Sequence, residues 1–340
     1  MKLFYLLVAP VVSARAINTQ QVPVIGGVEK EVVQSTTYED DAPPAVGVHF
    51  TTSYAIAAAR YLNGTTQDLA KVEGGAAYVD LVSRWADQER TVGMEQDAAV
   101  LADFMKKTRD VMEIGLDMRI SHIAPTFPYL PTYANQAVRE ALSSAGLTST
   151  RAQLLPNELA YDEVTAAEAA PGHDLHSSAE DHTSQMKSAP NQNVLYVNFD
   201  NSSFSIGAMS LRNAGQELKP IRYDINTQLG WWNMPVYDIP RAKFWTRIHE
   251  MILHGLEPMS RPPNRIVLMG DHGADEEFKQ VVTAAVWERY EFDVELMLSA
   301  VRKEDAGRLA ARGAAELAWR DGIRQREREA VRQKEEVIEL

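Results

Sequence analysis

The chain has no cysteine. That excludes disulfides, zinc-thiolate sites, iron-sulfur clusters and a thiol nucleophile, and leaves any fold to be held by its core alone. Positive charge is also short: 34 Lys and Arg stand against 47 Asp and Glu, a net charge of −13. A nucleic-acid surface needs clustered basic residues, so no nucleic-acid partner is expected. No apolar run reaches bilayer length, so no membrane span is expected either. Neither a Ser-His-Asp spacing nor a G-x-S-x-G elbow marks a hydrolase, and no catalytic or metal-ligating set emerges. What remains is ordinary for a globular protein: 340 residues, 45% hydrophobic and 24% charged, enough for one large core or two lobes.

Two stretches organise this chain. Asn193 to Leu211 reads NVLYVNFDNSSFSIGAMSL, two apolar runs around a polar turn of Asp200, Asn201, Ser202 and Ser203. That pattern predicts a β-hairpin. Ala45 to Gly64, AVGVHFTTSYAIAAARYLNG, predicts a second, turning at Thr51, Thr52 and Ser53. Hydroxyl-rich turns facing one another across a cleft can offer backbone and hydroxyl donors to phosphate. The plainer alternative is a pair of core hairpins.

In this order the motifs resemble the nucleotide-binding domain of the seventy-kilodalton heat-shock chaperones, within the actin and sugar-kinase superfamily. GVHFTTSYA, 47 to 55, resembles the first phosphate loop, and NFDNSSFSIG, 198 to 207, the second. ISHIAPTF followed by ANQAVREALSSAGL resembles the family's VITVPAYF strand and next helix. EVTAAEAAPG, 163 to 172, resembles its EPTAA helix. RIVLMGDHGADEEFKQVV, 265 to 282, resembles its adenosine segment, and ARGAAELA, 311 to 318, its last AxGAA helix.

The resemblance implies an α/β, actin-like ATPase (ribonuclease H-like) fold of two lobes with trimmed upper subdomains. It implies a nucleotide site built from Thr51, Thr52, Ser53, Tyr54, Glu163, Asn198, Asp200, Asn201, Ser202, Ser203, Gly270, Asp271, His272 and Gly273. ATP or ADP with magnesium would be the ligand. For Glu163 two readings stand open, the family's glutamate or a helix-start residue at the positive end of the dipole, and Asn157-Glu158 offers a competing register. The turn 270 to 273 is equally open, between a nucleotide contact and a plain strand-to-helix connection.

Departures from the family pattern bear on activity. Where the family has an Asp in each phosphate loop to handle magnesium and its water shell, this chain has His49 and Asn198. Family glycines that let the backbone approach phosphate are replaced by Thr51, Asp200, Asn201 and Ser202. The expected function is a pseudo-ATPase, a chaperone-like binding module with an unidentified protein partner. One alternative is a weak ATPase in which Glu163 and Asp200 replace the missing carboxylates. Another is a secreted structural or interaction protein without nucleotide.

The remaining organisation is read from composition. Lys2, the apolar run Leu3 to Val12 and Ser13-Ala14-Arg15-Ala16 predict a signal peptide over 1–16 and a secreted or secretory-pathway protein; a buried strand in a cytoplasmic protein is the alternative. No K-D-E-L-type signal follows. Two glycosylation sequons fit that route, Asn63 in NGT and Asn201 in NSS. Residues 17–44 read as an irregular arm, 45–172 as the first lobe, 173–193 as a flexible insert, 194–320 as the second lobe and 321–340 as a charged helical tail. Asp68 to Tyr78 reads as a turn region, with helices over Tyr78 to Glu89, Met94 to Gly115 and Arg241 to Leu256. His173, His176 and His182 lie in the insert without a helical ligand register, so a polar loop is favoured over a metal site. Trp231 and Trp232 are read as packing residues before a ligand platform.

Overall fold

The computed structural model describes residues 43–87, 93–128, 131, 133–171, 192–211, 220–299 and 303–338. The expected signal peptide and nearly all of the arm lie outside these residues, as does the insert up to 191. In chain order the elements are β1 Ala45–Phe50, β2 Tyr54–Arg60, β3 Thr66–Glu73, α1 Ala76–Ala86, α2 Met94–Leu116, β4 His122–Phe127, α3 Ala134–Ser144, β5 Thr148–Ser149, α4 Thr150–Leu154, β6 Tyr161–Asp162 and α5 Glu163–Ala169. Then come β7 Gln192–Phe199, β8 Phe204–Leu211, β9 Arg222–Asn226, α6 Asp238–Leu256, β10 Arg265–Met269, α7 Glu276–Tyr290, α8 Glu295–Ser299, α9 Lys303–Ala306 and α10 Leu309–Ile338. This is an α/β protein with two mixed sheets.

The two sheets repeat one plan. The first runs β3-β2-β1-β4-β5, with β6 also on β4; the second runs β9-β8-β7-β10. In each, a hairpin and a third strand pair antiparallel. The fourth strand then joins the first of the hairpin in parallel. Each parallel pairing requires a long crossover, supplied by helices.

Period-two alternation decides what each strand faces. In β1, Val46, Val48 and Phe50 enter a core with Leu81 and Trp85 of α1, Leu101 and Phe104 of α2 and Val138 of α3. Gly47 and His49 therefore face the other side. In β7, Leu195, Val197 and Phe199 enter a core with Phe244 and Ile248 of α6 and Phe278 and Val282 of α7. Val194 and Tyr196 face the other way, against Val164 and Ala167 of α5, and Asn198 shares their face. His49 and Asn198 thus hold equivalent places, one residue before the closing Phe of β1 and of β7, on the faces turned toward α5 and α10.

Between the sheets, α5 and α10 pack unusually close because both are built of small residues. Ala310, Ala314 and Ala318 of α10 meet Ala166 of α5 and Ala124 of β4, and Ala311 and Ala315 meet Tyr54, Ile56 and Ala58 of β2. A Cβ on Gly313 would stand 1.6 Å from the Ala166 carbonyl oxygen, and one on Gly47 would stand 2.1 Å from the Ala315 nitrogen. Only glycine permits that approach of backbone to backbone. The ARGAAELA segment thereby lies against the first sheet, and the charged tail continues the same helix, anchored where Tyr161 donates to the buried Asp321 carboxylate.

One expectation is corrected. Asp68 to Tyr78 is no turn region: its first part is β3, paired with β2 from Thr66 to Glu73. Its polar residues Gln67, Asp68, Lys71 and Glu73 hid the strand, and they suit an edge, where unpaired backbone must be shielded from other chains. Among the described residues no helix is long and apolar enough to cross a membrane.

Candidate functional site

The first turn is held from within. Thr51 Oγ1 accepts from the backbone N–H groups of Ser53 and Tyr54, both at 3.1 Å, and the Thr51 N–H donates to the Tyr54 carbonyl at 2.8 Å. Such a hydroxyl-stabilised turn is what Thr and Ser favour locally. Tyr78 of α1 donates its hydroxyl to the Thr51 carbonyl at 2.6 Å, which fixes the turn against the first lobe's core. In the second turn the Asp200 N–H donates to the Ser203 carbonyl at 3.0 Å, and the Asn201 N–H to Asp200 Oδ1 at 2.8 Å. These backbone donors, which a phosphate would need, are spent inside the turns.

The two turns touch. Thr52 Oγ1 lies 2.6 Å from Ser202 Oγ and 2.8 Å from Ser203 Oγ. Thr52 and Ser53 are completely buried, and Thr51, Asp200, Ser202 and Ser203 are no more than 7% exposed. The hydroxyl-bearing sides of the two turns face each other.

Two further segments close over the second turn. Just before α6, the Trp231 and Trp232 N–H groups donate to the Asp200 and Asn201 carbonyls at 2.9 and 2.8 Å. A Cβ on Gly230 would fall 2.3 Å from the Ser202 backbone. From the β10–α7 loop, the His272 N–H donates to the Phe199 carbonyl at 3.0 Å, its ring reaches Asn201 Oδ1 at 3.0 Å, and it stacks on Trp231 at 4.0 Å between centroids. Gly270 takes a left-handed conformation (φ +87°), and a side chain there would also strike Asn198 and Phe199, so both backbone and space require glycine. Asp271 accepts from Asn201 Nδ2 at 3.2 Å and pairs with Lys71 of β3. Trp231 is a packing residue, as expected, whereas Trp232 is 59% exposed.

Behind the turns lies a polar core centred on Glu163, itself fully buried at the start of α5. Asn198 Nδ2 donates to Glu163 Oε2 at 2.8 Å, and Ser205 and Tyr223 donate to Oε1, the latter at 2.8 Å. His49 Nε2 stands 3.3 Å from Oε2 without hydrogen-bond geometry, and Asn198 Oδ1 is without a hydrogen-bond partner. Burial alone drives the Glu163 carboxyl upward, but the facing His49, Ser205 and Tyr223 outweigh it and hold the group below its ordinary value. Asp200 shows the opposite balance. Burial and then the neighbouring Asp271 raise its carboxyl from 3.8 to about 6, against Tyr54, the Asn201 N–H and Lys71. Tyr54 is raised well above its ordinary value, by burial first and then by Asp200 and Asp271.

Every residue of the sequence-derived site is therefore in one place: Thr51 to Tyr54, Glu163, Asn198, Asp200 to Ser203 and Gly270 to Gly273. Glu163 is the first residue of α5, as its helix-start reading expects, and it accepts from Asn198, Ser205 and Tyr223. Ser205, Tyr223 and Lys71 were not foreseen. Ser205 was within reach, because alternation along β8 puts it beside Asn198, its pairing partner. Tyr223 and Lys71 sit on the polar strands β9 and β3, which gave no strand signal. Among the described residues no group of three or more His, Asp or Glu is arranged to hold a metal ion. No family model matches the chain, and no curated protein matches it.

Proposed function

We propose that this chain is a non-hydrolysing relative of the actin-like ATPases, of the heat-shock chaperone type, whose nucleotide cleft has become core and whose role is to bind another protein. The single observation that carries the reading is the direct bonding of Thr52 to Ser202 and Ser203. The repeated sheet plan, with one hairpin turn from each sheet meeting at the centre, supports the actin-like ancestry. His49 and Asn198 stand where that family keeps two magnesium-handling carboxylates, and both face Glu163, whose oxygens are already supplied with donors. Phosphoryl transfer depends on positioning and on neutralising charge, so losing both acids removes its main support.

A weak ATPase using Glu163 and Asp200 is less well supported, since each carboxylate is committed to neighbours within the protein. For the binding role, the segment covering the second turn continues into exposed Trp232, Val236, Tyr237 and Ile239, from 59% to 87% accessible. An apolar run of that kind suits a protein partner. A secretory location remains part of the proposal. Calorimetric titration of the folded full chain with ATP and magnesium, paired with a phosphate-release assay, tests it. No saturable heat and no turnover are expected; magnesium-dependent binding with phosphate release would favour the weak ATPase instead.

A further inference from the structure

We infer that Asn63 is an N-glycosylation site and that Asn201, the chain's other sequon, is not. Asn63 lies at the tip of the β2–β3 hairpin, on the edge of the first sheet. There the Tyr61 N–H donates to the Thr65 carbonyl at 2.9 Å and the Gly64 N–H to the Tyr61 carbonyl at 3.0 Å. Gly64 adopts φ +85°, and residues 62 to 65 are all exposed. Within this tip Asn63 Oδ1 accepts twice from Thr65, from its N–H at 2.9 Å and from its hydroxyl at 2.7 Å. The sequon is thus folded so that its third residue polarises the amide carbonyl of an exposed Asn63. A Cβ on Gly64 would meet nothing within 4 Å, so the tip is open beside the middle residue of the sequon.

Asn201 is arranged in the opposite way. Its amide nitrogen donates to Asp271 and its oxygen accepts from His272. Its sequon hydroxyl, Ser203 Oγ, is bound to Thr52 across the site. A sugar on Asn201 would have to push apart both turns and the β10–α7 loop, so a chain carrying one before folding could not close this core.

The reaction needs a lipid-linked oligosaccharide pyrophosphate as donor. Asn63 Nδ2 bonds to the anomeric carbon, the anomeric carbon–oxygen bond breaks, the lipid pyrophosphate leaves with the electron pair, and the amide gives up one proton. The inference rests on the proposed secretory location and not on the proposed loss of ATPase activity.

The test expresses the full chain behind a secretory leader of established function in a eukaryotic host. The secreted protein is treated with an amide-cleaving glycosidase and mapped by peptide mass spectrometry. One glycosidase-sensitive step in mobility is expected, lost in Asn63→Gln and in Thr65→Ala, retained in Thr65→Ser and Asn201→Gln. Thr65→Ala serves if Asn63→Gln fails to be secreted. A secreted wild-type chain without the step, a step surviving Asn63→Gln, or glycan mapped to Asn201 would overturn the inference.

Discussion

Replacing Asp200 by Asn should stabilise the fold at neutral pH, by an amount that depends on pH in a defined way. Asp200 is buried, and its carboxyl is raised from 3.8 to about 6 by burial and by the nearby Asp271. A group raised on folding is at ease in its neutral form. Its stabilising contribution is full below about pH 4 and is lost as the pH climbs through about 6. At about 1.4 kcal/mol per pH unit, the gap between 3.8 and about 6 amounts to about 3 kcal/mol of strain at pH 7.5. An amide is neutral throughout and keeps an oxygen to accept from the Asn201 N–H, now at 2.8 Å. Urea unfolding followed by tryptophan fluorescence, at intervals from pH 4 to 7.5, measures both proteins. Every other titrating group is shared, so the difference between them isolates position 200. Its stability gain should grow from the lowest pH to about 3 kcal/mol at the highest. A difference flat across that range, or an Asp200→Asn variant less stable than wild type at pH 7.5, would refute the argument that a desolvated carboxylate sits in the sealed turn.

Substitutions at three other positions probe the layers around that turn. Glu163→Ala removes the acceptor for Asn198, Ser205 and Tyr223 and the charge facing His49, which should cost on the order of 3–5 kcal/mol in urea unfolding. Glu163→Gln should fall between it and wild type, and because the Glu163 carboxyl is held low, the stability it adds in the wild type is lost only as pH falls through that lowered value. A loss below about 1 kcal/mol for the alanine variant would mean that the cluster is not a satisfied core. Gly47→Ala drives a methyl group to within 2.1 Å of the α10 backbone, so a cost above about 3 kcal/mol is expected. Gly75→Ala, facing open space at φ −72°, should stay within about 1 kcal/mol in the same urea unfolding; equal effects would show that the packing of α10 on β1 does not limit stability.

Much of the plan was legible because it rests on strong local signals. The apolar runs flanking 51–53 and 200–203 announced both hairpins, and alternation along β1 and β7 fixes which residues turn inward. The strands β3 and β9 were not legible, because one is an edge strand rich in Gln, Asp and Lys and the other is the five-residue RYDIN. With them went Lys71 and Tyr223, both essential to the environment of the site. Nor could sequence say where α10 docks. An Ala- and Gly-rich helix face fits any surface that allows close approach, and only the facing Gly47 and Ala166 make the first sheet and α5 its seat. Hydroxyl groups at a turn posed the deepest ambiguity: Thr52, Ser202 and Ser203 would look the same whether their donors served a ligand or one another.

Magnitudes indicate what keeps the two turns together. The bonds from Thr52 to Ser202 and Ser203 contribute a net of about 1 kcal/mol each, too little to hold a cleft shut against a tightly bound nucleotide. The larger resistance comes from the layers behind and above them. Opening would expose Phe199, which packs on Trp231, Trp245 and Phe278, break the Lys71 pairing with Asp271, and drag on α10, whose backbone lies against Gly47. A ligand pays all of this as a reduction in apparent affinity. Acids in place of His49 and Asn198 would crowd Glu163 with like charge, and a cation would be needed to hold them. An amide and an imidazole let Glu163 be satisfied without one. On the proposed descent from an actin-like ATPase, loss of the acids and closure of the turns would be a single change: once no ion is required, nothing props the site open, and apolar packing on both sides favours contact.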